Sequence, residues 1–141
     1  MKRYLSLDVG DRTIGIAVSD LLGLTAQGVE TIRRQSLEQD LKRLSELMEE
    51  YETKSLVVGL PKNMNGSEGP RCEIVREFVD EVRGMCPEVE AEFWDERLST
   101  VAATRSLLEA DVSRKKRKKV IDKMAAVYIL QGFLDKKSRN G

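Results

Sequence analysis

The chain has 141 residues, 40% of them hydrophobic and 34% charged, with 24 basic and 24 acidic side chains and no histidine. That length suits one domain with a core of its own, so a single domain over residues 1–141 is expected. No run reaches the length of a membrane span, and the start does not read as a signal peptide, so a cytoplasmic protein without a membrane partner is expected. The absence of histidine excludes imidazole acid–base chemistry and Ser-His triads, and with only Cys72 and Cys86 available it argues against zinc. Catalysis, if present, belongs to carboxylates, Lys, Tyr, Cys, Ser/Thr or a hard metal ion.

The chain opens with a hairpin pattern. Leu5, Leu7 and Val9 alternate with polar residues, Ile14, Ile16 and Val18 alternate again, and Gly10-Asp11 lies between them as a turn. Asp8 interrupts the first of these strands. A carboxylate within an apolar strand is costly unless it is paired, hydrogen-bonded by the turn or holding a metal. A third strand is expected over Leu24–Ile32, which completes an antiparallel meander.

Ser36 and Gln39 form a capping box, and Leu37, Leu41, Leu44, Leu47, Met48 and Tyr51 follow at helical spacing. The continuous apolar run Ser55–Gly59 after that helix suits a buried parallel strand. The segment from Leu60 to Gly69, rich in Pro, Asn and Gly, is a loop where α/β proteins place ligands. Cys72, Val75, Phe78, Val79 and Val82 mark a second helix, ended by Gly84 and Pro87. Val89–Trp94 is a fifth strand, leading into Asp95-Glu96-Arg97, and a third helix is capped by Ser99 or Thr100 and carries Leu107 and Leu108.

Charge is distributed unevenly. Residues 1–100 hold 13 basic and 20 acidic side chains, whereas residues 101–141 hold 11 and 4, a contrast that points to an anionic partner for the C-terminal part. Arg114-Lys115-Lys116-Arg117-Lys118-Lys119 is its centre. Such a block repels itself, so a mobile basic loop is expected, with phosphate contact favoured over a merely solvated linker. The last helix is expected to start near Val120, with Asp122 in its first turn, where the helix dipole alone favours an acid. The order of elements fits a mixed five-stranded sheet with helices on both faces.

Three acids stand out by position: Asp8 in the first strand, Glu96 just beyond the last and Asp122 in the final helix. With the first strand central, such a sheet allows them to converge at one edge. Converged carboxylates repel unless a divalent cation is present, and an oxygen-only donor set selects Mg²⁺ or Mn²⁺. Two such ions about 4 Å apart support phosphodiester cleavage. Asp95 is the alternative to its neighbour Glu96.

These motifs, taken together, resemble the YqgF/RuvX family. The stretches are Asp8 to Asp20, Val57-Val58-Gly59-Leu60-Pro61 with Asn65-Gly66, Asp95 to Thr100 with Ala102, and Ile121-Asp122 with Ala125-Ala126, and they occur in the family's order over nearly the whole chain. The resemblance implies a ribonuclease H-like α/β fold in three layers, with strand order 3-2-1-4-5. It also implies a nuclease of the kind assigned to pre-16S ribosomal RNA, long described as Holliday junction resolvase-like. Asp8, Glu96 and Asp122 then become the catalytic, metal-binding acids, with two Mg²⁺ or Mn²⁺ ions. Lys123 departs from the small or polar residue expected beside Asp122.

Arg12, in the opening motif, and Arg97, after the motif acid, suit phosphate contact; the plain alternatives are ion pairs to Asp11 or Asp20, and to Asp95 or Glu96. Arg114 to Lys119 would hold substrate backbone. The expected substrates are structured RNA, as a ribosomal precursor and in the context of a ribosomal subunit, or branched DNA, bound by a monomer or a homodimer. The competing classes are a non-catalytic nucleic-acid-binding module, resting on the basic run alone, and a phosphotransferase, because the Asp8–Gly15 hairpin also resembles that of actin-like ATPases. A chain of one domain is too short to enclose ATP in their two-domain manner.

Overall fold

The computed structural model describes residues 2–98 and 114–140, and the side chains of its last helix from Met124 to Arg139. The element order is β1 (Leu5–Val9), β2 (Thr13–Ser19), β3 (Ala26–Arg33), α1 (Leu37–Glu50), β4 (Ser55–Leu60), α2 (Pro70–Met85), β5 (Glu90–Asp95), a 3₁₀ turn (Glu96–Leu98) and α3 (Arg114–Asn140). The strands form one sheet in the order β3-β2-β1-β4-β5. β1–β2 and β2–β3 are antiparallel, whereas β1–β4 and β4–β5 are parallel. This is the mixed five-stranded arrangement expected from the sequence. The helix expected between Thr100 and Leu108 lies outside the described residues.

Strand alternation sorts the core into two layers. Leu5, Leu7 and Val9 of β1 pack with Leu44 and Leu47 of α1 and Val75, Phe78 and Val79 of α2. On the other face Tyr4, Ala17, Val57 and Trp94 pack under Ala125, Ala126, Ile129, Leu130 and Leu134 of α3. β1 is buried along its whole length, as a central strand covered on both faces must be. Its polar members, Ser6 and Asp8, lie on the α3 face. Ser6 donates its hydroxyl proton to the Ala126 carbonyl at 2.7 Å, which satisfies the group without water.

Two boundaries depart from the sequence reading. β3 begins at Ala26 rather than Leu24, because Asp20 accepts from the Leu24 and Thr25 amides and draws both into the preceding turn. Helix α3 spans Arg114–Asn140, so the basic run forms its first turns instead of a loop. Lys and Arg are unbranched and lose little rotamer freedom in a helix, and that preference outweighs their mutual repulsion. Among the described residues, no helix is long and apolar enough to cross a membrane.

The α1–α2 side also fixes the first turn. Arg34 donates to the Gly10 carbonyl at 2.7 Å and pairs with buried Asp40 at 2.9 Å, its guanidinium 5.1 Å from the Phe78 ring centre. One cation thereby ties the β1–β2 turn to both helices.

Candidate active site

Asp8 lies one residue before the end of β1, opposite Gly15 of β2, and is 6% exposed. Because side chains alternate, it shares the α3 face with Ser6. On the other flank, the β1–β4 register runs Leu5–Leu56, Ser6–Val57, Leu7–Val58, so the next step places Gly59 beside Asp8. Gly59 in turn pairs with Trp94 of β5, and Glu96 follows two residues later. Glu96 is 7% exposed. A Cβ on Gly59 would stand 3.0 Å from Glu96 Oε2 and would collide with the Ile129 side chain of α3. The missing side chain at 59 is therefore what admits both the Glu96 carboxylate and the helix. Asp8 and Glu96 are nine-tenths buried on one face of the sheet, on either side of this glycine.

Asp95 is placed differently. It has the opposite parity to Trp94, and Arg97 holds it: Nε lies 3.1 Å from both carboxylate oxygens and Nη2 lies 2.7 Å from Oδ2. These bonds keep the Asp95 carboxyl below its usual range and raise the Arg97 guanidinium. Of the adjacent acids, Glu96 faces the α3 side with Asp8, and Asp95 is engaged by Arg97, two residues on. The ion pair to Asp95, rather than a free fork, is the state of Arg97. Its remaining donor, Nη1, reaches the Met64 carbonyl of the β4–α2 loop at 3.3 Å.

The third acid is placed by its backbone. Tyr4 at the start of β1 meets Phe133 with ring centres 5.0 Å apart, and Ser6 meets Ala126, so α3 runs antiparallel to β1. Position 122 lies one turn before Ala126, at the three-, four- and seven-residue spacing from Ala125, Ala126 and Ile129 that defines the sheet-facing stripe. It is also in the third turn of the helix, not the first, and a dipole effect that fades within the first turn no longer accounts for an acid there. The side chains of Asp122, Lys123 and Arg114 to Lys119 lie outside the described ones. Among the described residues, no three His, Cys, Asp or Glu are grouped as a metal site.

Arg12 is exposed in the β1–β2 turn and makes no ion pair among the described residues, so neither expected acidic partner holds it. Asp20 instead binds its own loop through Leu24 and Thr25. Gly59 stands in one of the motif stretches, but the sequence reading gave it no role at the site. A further sign is a glycine inside the apolar part of a strand, among Leu56, Val57, Val58 and Leu60, a mark of close approach by another group.

Residues 2–136 match the family model described as RuvX: Holliday junction resolvase. A protein of Clostridium botulinum (strain Hall), named "Putative pre-16S rRNA nuclease", is 58% identical over 137 residues, covering 97% of this chain and 99% of its own. One of the same name from Clostridioides difficile (strain 630) is 60% identical over 133 residues, 94% of each chain. In fold, the chain is similar to T. thermophilus RuvC in complex with Holliday junction substrate, with a TM-score of 0.59 and 11% identity over 98% of this chain and 97% of that one. That likeness identifies a ribonuclease H-like fold.

Proposed function

The chain belongs to the RuvX (YqgF) family, and from that premise we propose that it is a divalent-metal-dependent endonuclease acting on structured RNA, with a precursor of 16S ribosomal RNA as substrate. The observation that carries the proposal is the pair of nine-tenths-buried carboxylates, Asp8 and Glu96, flanking Gly59 on the α3 face. Two acids so placed in an apolar layer fit a cation better than they fit each other.

The donor set also fits. It consists of carboxylates, and the chain has no histidine. Asp8 and Glu96 would hold Mg²⁺ or Mn²⁺, with Asp122 as the third ligand by its position on α3. When bound, such ions supply an activated water and charge stabilisation at a phosphodiester.

The protein's own residues bind and orient the substrate. Arg12, exposed at the turn after Asp8, supplies a fork for a backbone phosphate. The six cations at the start of α3 lie at the positive end of a helix with no acid in its first turn. Their repulsion and the dipole act in the same direction, and a polyanion relieves both.

The test is cleavage of a precursor RNA in Mg²⁺ by the purified wild type and Asp8→Asn. Cleavage by the first alone is expected; equal cleavage by both sinks the assignment. Resolution of branched DNA is the second reading, favoured by the family model's description. A four-way DNA junction cut faster than the RNA by the same preparation would replace the first reading with the second.

A further inference from the structure

Met64 is the most exposed of the large apolar side chains among the described residues, at 93%. Exposure alone says little, since single apolar residues are common on surfaces. The three leucines of the β2–β3 turn, Leu21, Leu22 and Leu24, are also more than half exposed. They follow Ser19, whose hydroxyl accepts from the Tyr4 amide, and so lie at the start of β1, away from Asp8. Met64 differs in its mounting and its neighbours.

The mounting is rigid. Asn63, Met64, Asn65 and Gly66 form a tight turn closed by the Gly66 amide donating to the Asn63 carbonyl at 2.9 Å. A second bond, Asn63 amide to Ser67 carbonyl, closes it from below at 2.9 Å. Asn65 accepts from the Ser67 amide at 3.0 Å and from its hydroxyl at 2.6 Å. Gly66 has φ of 87°, a conformation other residues resist, and a Cβ there would press on Arg97 Nη1 at 3.3 Å. Arg97 then fastens the turn through the Met64 carbonyl and is itself clamped by Asp95. The residue that places Met64 is thus the chain neighbour of Glu96.

We propose that Met64 is a wedge that inserts between adjacent unpaired bases of the substrate next to the phosphate handled at Asp8 and Glu96. The proposal rests on the nucleic-acid reading of that site. A thioether on an unbranched chain is soft enough to slide between ring faces and gains from sulfur–ring contact, and apolar wedges of this kind part base steps in other nucleic-acid complexes. The apolar tip faces bases, while Arg12 contacts phosphate. It follows that the enzyme favours a cleavage position whose flanking nucleotides are unpaired over one inside a continuous duplex.

The experiment uses an RNA hairpin, and a DNA hairpin of the same sequence, each with one 2-aminopurine in a stacked single-stranded stretch. Each is titrated with full-length Asp8→Asn protein, which keeps the strand whole. Parting the stack raises the fluorescence. A rise is expected with Asp8→Asn, its loss with Asp8→Asn/Met64→Ala, and its return with Asp8→Asn/Met64→Leu, which restores the volume. Affinity should fall about two- to tenfold with alanine, the range that sulfur–ring contacts are worth. An equal rise with alanine, or no rise with either nucleic acid in the Asp8→Asn protein, overturns the wedge. Cleavage by the wild type in Mg²⁺ separates the two proposals: a rise without cleavage keeps the wedge and rejects the nuclease, and cleavage without a rise does the reverse.

Discussion

The two faces of the sheet are built from the same strands and differ in what they bury. Under α1 and α2, β1 presents Leu5, Leu7 and Val9 to a cluster of apolar side chains, and the buried carboxylate on that side, Asp40, is neutralised by Arg34. Under α3, the same strand presents Ser6 and Asp8, β4 presents Gly59, and the helix answers with Ala125 and Ala126 where the first layer has Leu and Phe. Large side chains on the first face fill space and exclude water. On the second, the missing side chain at Gly59 lets Ile129 of the helix and the Glu96 carboxylate approach the sheet together. The α1–α2 layer can therefore hold the fold together while the α3 layer carries groups that a core alone would reject.

Adjacent residues of β1 give the sharpest way to break this comparison. Leu7→Ala should cost about 2–5 kcal/mol in chemical denaturation, as large-to-small changes in a packed core do, with cleavage per folded molecule retained. Asp8→Asn should leave the denaturation midpoint nearly unmoved, because the amide keeps the shape, and should lower cleavage by at least about a hundredfold. If Asp8→Asn destabilises as much as Leu7→Ala while cleavage per folded molecule persists, the α3 face is an ordinary core with a structural acid in it.

Gly59→Ala comes next. The added methyl meets the end of the Ile129 side chain and stands 3.0 Å from Glu96 Oε2. Overpacking of this kind costs about 1–3 kcal/mol. Ile129→Val removes the atom it strikes, so the double variant should recover stability. It should not recover cleavage, since the methyl still crowds Glu96. Cleavage restored together with stability would mean that Gly59 serves helix packing alone.

How far the sequence reveals this division depends on the kind of order involved. Alternation around Gly10-Asp11 shows the β1–β2 hairpin, and a continuous apolar run after an amphipathic helix shows β4, because period and burial are local properties of the chain. The strand order also follows from the family resemblance. The parity of Asp95 and Glu96 does not, since Phe93 and Trp94 are both apolar and the alternation vanishes just where it is needed. The helical state of Arg114 to Lys119 is missed because charge repulsion argues for a loop while side-chain entropy, the larger effect, argues for a helix. That error also places Asp122 in a first turn, where a dipole explains it away. Gly59 is hard to read because its role lies in what it omits, and the groups that fill the space come from residues 96 and 129.

The smallest effect separates the neighbours at the end of β5. Arg97 hydrogen bonds lower the Asp95 pKa from its ordinary 3.8, so the folded state holds this proton less tightly than the unfolded chain does. The contribution is present above the unfolded value and is lost as pH falls through the lowered folded one. Asp95→Asn removes that term. Its stability should therefore fall short of wild type at neutral pH and converge with it as pH falls through the lowered folded value. The gap should be under about 1 kcal/mol, because Arg97 is partly open to solvent, which screens the pair. Cleavage should change little, whereas Glu96→Gln should lose it as Asp8→Asn does, measured on the same RNA at neutral pH. The reverse pattern, with Asp95→Asn inactive and Glu96→Gln active, would move the site to the α2 side of the sheet and leave Asp8 without an acidic companion among the described side chains.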